Sequence, residues 1–204
     1  MTRMVGRGVL ALLAGALSVA HAAAQGIDPR LERLDETTRA VVMGIVDSAR
    51  AVGLPANPLV ERALEGVTKG ASAELIVSAV RRLATDLGRA RDALGPGASA
   101  VELNAGAAAL RAGAGPEVLT RLRGARGHQS VTMALAVLTD LVARGVPVDT
   151  ATTAVLALAA TGRDEDLVEF RRAVERDIAI GAPPGAAASI RVNAAAREVR
   201  PGRP

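Results

Sequence analysis

The 204-residue chain reads as all-α: a compact helical bundle or short irregular α-solenoid of about eight helices, preceded by a cleaved signal peptide. Three observations predict this. Forty-four residues are Ala, the strongest helix former, while strand formers are scarce: no Trp, no Tyr and the single Phe170, with only Val in quantity. Apolar residues recur at steps of three and four. Gly, often with Pro just beyond it, breaks the apolar segments at intervals, as helix C-termini require.

The first element is an address. Arg3 and Arg7 precede the uncharged run Gly8–Ala20, and small residues close it at His21–Ala24. That order predicts a signal peptide over residues 1–24, with the mature chain starting at Ala23 or Gln25. The run is shorter than the ~20 residues of a spanning helix. No other stretch is long and uncharged enough to span, so no transmembrane segment is expected. Export places the protein outside the cytoplasm, in the periplasm or beyond, where the absence of Cys leaves burial alone to hold the fold.

A single all-α domain is expected over residues 25–198. Asp28 and Pro29 open a first helix whose stripe, including Leu31, Leu34, Val42, Ile45 and Ala49, runs to Gly53. A short helix then lies between Gly53-Leu54-Pro55 and Gly70. Ser72 starts a longer one, whose residues Ile76, Val80, Leu83, Leu87, Ala90 and Leu94 form a heptad-like seam. Ser99 with Glu102 makes a capping box before another helix, which ends at Gly113, and Pro116 begins the next. Val131, Leu135, Leu138 and Val142 form a second seam. Gly145-Val146-Pro147 leads into a further helix ending near Gly162. Asp164-Glu165-Asp166 starts a helix with Leu167, Phe170, Val174 and Ile178 on its apolar face. A weak Ala-rich helix follows Pro183, and residues 199–204 form a disordered tail. The similar spacing of Gly-x-Pro breaks defines candidate helix-pair units at 53–94, 97–125 and 145–180.

Composition excludes several functions. Without Cys there is no thiol chemistry and no Cys-bound metal, and one Phe cannot build a base-stacking surface. Removing Arg3 and Arg7 lowers the formal charge from +4 to +2, which leaves little support for nucleic-acid binding. The pI near 11 reflects cations that are nearly all Arg.

Chemistry is sparse. His128 is the one His left after signal cleavage; it sits in a Gly-rich loop, with Ser130 too near to imply a triad. No catalytic, cofactor or metal site is expected, and the three acids at 164–166 lack the alternating spacing of a calcium loop. A local excess of Arg111, Arg121, Arg123 and Arg126, opposed only by Glu117, is the candidate contact for an anionic partner. The expected function is therefore non-catalytic: an exported helical module or scaffold that binds a protein or anionic polymer of the cell envelope. Two alternatives stand beside it. One is a structural component self-associating through seams such as Ile76–Leu94; the other is a hydrolase using His128 with convergent carboxylates.

Overall fold

The computed structural model describes residues 28–161 and 163–198. The signal peptide and the tail expected at 199–204 lie outside them. The described residues are all-helical. A 3-10 helix at Pro29–Arg33 precedes nine α-helices: α1 (Glu36–Ala51), α2 (Asn57–Thr68), α3 (Ala73–Leu94), α4 (Ala100–Arg111), α5 (Pro116–Arg126), α6 (Thr132–Ala143), α7 (Val148–Thr161), α8 (Asp164–Ala179) and α9 (Pro184–Glu198).

Most boundaries follow the local signals. Ser72 Oγ accepts the Leu75 N–H, and Ser99 with Glu102 forms the complete capping box. The first helix differs from expectation. Asp28 and Pro29 do start a helix, but it is a five-residue 3-10 turn. Leu34 is extended, and the Asp35 carboxylate then accepts the Thr38 N–H to start α1. A second cap thus splits what apolar periodicity joins. On α3, Asp86 meets Arg89 at 3.8 Å, while Glu65 on α2 pairs with Lys69, just past its end, at 2.6 Å, as a spacing of four predicts.

One turn recurs. After α6, Gly145 takes φ +87°, a conformation costly to residues with a Cβ, and the Val146 N–H reaches back to the Leu141 carbonyl at 3.0 Å. The same bond closes α1 (Leu54 to Ala49), α2 (Ala71 to Gly66), α4 (Ala114 to Ala109) and α8 (Ala182 to Asp177). Each of these endings leads directly into the next helix. The turn thus joins α1–α2, α2–α3, α4–α5, α6–α7 and α8–α9; the spans 53–94 and 97–125 hold the pairs α2–α3 and α4–α5, and 145–180 holds α7 and α8. Sequence spacing aligned Gly145 with Gly53, and the two share this turn, as do Gly70, Gly113 and Gly181.

The helices form two ranks. Odd-numbered helices from α1 to α9 each pack on the next odd one, α4 packs on α6, and α6 on α8. Leu, Val and Ala fill the space between. Ala63, Ala90, Ala107, Ala134 and Ala151 are completely buried, and such small side chains let backbones approach closely. Gly106 is buried and closely packed: a methyl there would lie 3.0 Å from Ala90 Cβ and 3.1 Å from Leu119 Cδ2. The Ile76–Leu94 seam belongs to this core, with every member at most 5% exposed. It faces neighbouring helices of its own chain, so it offers nothing to a second copy.

Candidate functional site

The four arginines expected to meet an anionic partner do not form one surface. Arg111, at the end of α4, is exposed, yet its guanidinium lies in a partly desolvated setting near Arg62. Burial first, then the like charge of Arg62, lowers its pKa, with Asp86 and Glu65 acting the other way. Arg121 is exposed on α5. Arg123 and Arg126 turn inward.

Arg123 and Arg126 hold the loop that follows α5. Arg123 Nη2 donates to Glu102 Oε1 at 2.6 Å, and its Nη1 donates to the Gln129 carbonyl at 3.1 Å. Arg126 is 7% exposed; its Nε donates to the Ser130 carbonyl at 3.2 Å and its Nη2 to Asp164 on α8. Glu102 completes the clasp. Its Oε2 accepts the Ser99 N–H at 2.9 Å, and its Oε1 also accepts the N–H of fully buried Val131 at 3.1 Å. Four helices, α4, α5, α6 and α8, are thereby tied around residues 127–131. The local charge count missed this because Glu102 and Asp164 reach the arginines from 21 and 38 residues away in sequence. The capping-box motif marked Glu102 as a helix start, but nothing local marked its second partner.

Burial pushes the Glu102 carboxyl up, but the Ser99 N–H, the Arg123 guanidinium and the Val131 N–H together outweigh it and bring the pKa down to about 2. A depressed carboxyl contributes stability above its unfolded pKa of 4.5 and loses that contribution as pH falls towards 2. The contribution is about 3 kcal/mol at neutral pH, from roughly 1.4 kcal/mol per pKa unit. Thermal unfolding is expected to lose this increment between pH 4.5 and pH 2. Glu102→Gln should flatten that limb, and an unchanged limb in the variant would assign it to other acids.

The side chains considered for hydrolysis do not converge. His128 is exposed, with no side-chain hydrogen bond or ion pair among the described residues. Ser130 Oγ is occupied locally, by Thr132 Oγ1 at 3.0 Å and the Thr132 N–H at 3.2 Å. Among the described residues no three His, Asp or Glu side chains are grouped to hold a metal. Phe170 is core at 5% exposure, and Asn104 is exposed.

Open space lies elsewhere. Between α1 and α3 runs a groove of about 530 Å³, walled by Val41, Gly44, Ile45 and Ser48 on one side and Arg81, Ala84 and Thr85 on the other. Val52, 56% exposed, stands at its end. A smaller cleft of about 330 Å³ between α7 and α9 is lined by Asp149, Thr150, Thr153, Ser189 and Asn193 together with Ala154 and Val192. The groove's apolar residues were legible as part of the first helical stripe, but which of them stay uncovered was not. No described helix is long and apolar enough to cross a membrane.

Comparison with known protein families, with curated proteins and with solved structures finds no match to this chain. The class that the geometry defines is an all-α protein of two packed helical ranks.

Proposed function

We propose that the protein is an exported, non-catalytic helical scaffold that binds another macromolecule of the cell envelope through an exposed helix face. The observation that carries this reading is the open groove between α1 and α3, which Val41, Ile45, Val52 and Ala84 line with apolar surface. The leader-like order of residues 1–24 supports export. The use of Glu102, Arg123, Arg126 and Asp164 in holding α4, α5, α6 and α8 together supports a structural role for the polar residues of that region.

Two measurements test the reading. Mass analysis of the exported form is expected to find an N-terminus at Ala23 or Gln25; an intact Met1 would remove the export step. The mature protein, immobilised and exposed to envelope extract, is expected to retain a partner at low salt and to keep much of it at high salt. Apolar burial is weakly screened, whereas a contact made by surface arginines alone is lost within a short Debye length. An extract that yields nothing at low salt overturns the binding function.

A further inference from the structure

Resting on that binding function, we propose that the α1–α3 groove seats a short amphipathic protein helix carrying a carboxylate, which pairs with Arg81 at the rim. The groove's volume of about 530 Å³ takes the few apolar anchors that two or three helical turns present on one face. Its interior asks for no polar partner. Ser48 Oγ donates to the Gly44 carbonyl at 2.7 Å and Thr85 Oγ1 to the Arg81 carbonyl at 3.1 Å, so both hydroxyls are turned onto their own helices.

Gly44 sits in the middle of α1 with no atom within 4 Å of where its Cβ would be, and Gly88 is the same on α3. Gly88 follows Arg81, Ala84 and Thr85 at helical spacing, just beyond the residues of α3 that line the groove. Neither glycine is required by packing inside the chain, and each weakens its helix. Both leave room for a partner backbone to come close.

Charge selects the occupant. Arg81 is the one charged residue lining the groove, and its side chain makes no ion pair or hydrogen bond among the described residues. Further along α3, Arg89 and Arg91 each have a carboxylate, while exposed Arg82 beside Arg81 has none among the described residues and does not line the groove. A single uncompensated cation beside an apolar trough is complementary to an apolar helix with one acid. An anionic polymer would need a row of cations, and the groove has none.

The probes are two fluorescent, stapled amphipathic peptides with the same Leu face, one with Glu and one with Lys at its edge. Anisotropy with the mature protein is expected to show the Glu peptide binding about fivefold more tightly, the upper end for an exposed ion pair. Arg81→Glu should invert the preference. Gly44→Leu should abolish binding of both peptides without lowering the melting temperature, because its side chain enters open space. Equal affinities, no inversion, or unimpaired binding by Gly44→Leu would overturn the proposal. Envelope extract separates this site from the function it serves. Equal retention by wild type and Gly44→Leu overturns the groove and leaves the scaffold function standing, while no retention by either removes both. A photo-crosslinker at Ser48 that captures only this chain's own peptides assigns the groove to a second copy and overturns the helical partner.

Discussion

Glu102→Ala is expected to destabilise the protein by about 3–5 kcal/mol, the cost of breaking a buried ion pair from one side. The large effect comes from what is left behind. The fully buried Val131 N–H loses its acceptor, the Ser99 N–H loses the reciprocal half of the capping box, and Arg123 keeps a charge with only the Gln129 carbonyl beside it. Urea unfolding monitored by far-ultraviolet circular dichroism measures this directly. Adding Arg123→Met should recover part of the loss, because it removes the unpaired charge, and the double-mutant cycle isolates the pair from the two backbone bonds. A Glu102→Ala cost below about 1 kcal/mol would mean that the clasp is solvated like an ordinary surface pair.

Gly106→Val is expected to be the other severe change, at about 3 kcal/mol or somewhat more. Its first added carbon already falls 3.0 Å from Ala90 Cβ, 3.1 Å from Leu119 Cδ2 and 3.3 Å from Leu94 Cδ1. The branched methyls must then displace α4 from α3 and α5. Residue type alone predicts the reverse, since Gly in a helix costs about 1 kcal/mol relative to Ala. Gly44→Ala, in a helix interior with nothing within 4 Å, supplies the control and should gain about that amount. Thermal melts of the two variants are therefore expected to shift in opposite directions. A stabilised Gly106→Val would mean that α4 does not pack closely on α3 and α5.

The contrast between these glycines shows what was legible beforehand. Both are mid-helix glycines in apolar, Ala-rich surroundings, and no local pattern separates them. One is required because three neighbours from α3 and α5 close on it; the other borders an open groove. The arginines behave likewise. Arg121 and Arg123 sit two residues apart, yet one is exposed and the other pairs with Glu102. Counting charge along the chain grouped them as one local excess, because the carboxylates that separate them come from distant helices. His128 was read as a loop residue and is exposed in one, held between Arg126 and Ser130 in sequence while the clasp fixes the backbone around it.

Helix positions were determined by the sequence by itself, since their causes are local. Ser72 and Ser99 supply side-chain oxygens to backbone N–H groups three residues on, Gly at the helix ends permits the left-handed turn, and the apolar steps of three and four mark one face. The split at Leu34–Asp35 is equally local, though periodicity alone conceals it. Only the tertiary structure decided which faces meet. Ala-rich faces differ little from one another in apolar area, so the choice among neighbours rests on close contacts such as Gly106 on Ala90 and on long-range bonds such as Glu102 to Val131. Those contacts bury the Ile76–Leu94 seam, draw Arg123 and Arg126 inward, and leave the groove between α1 and α3 open.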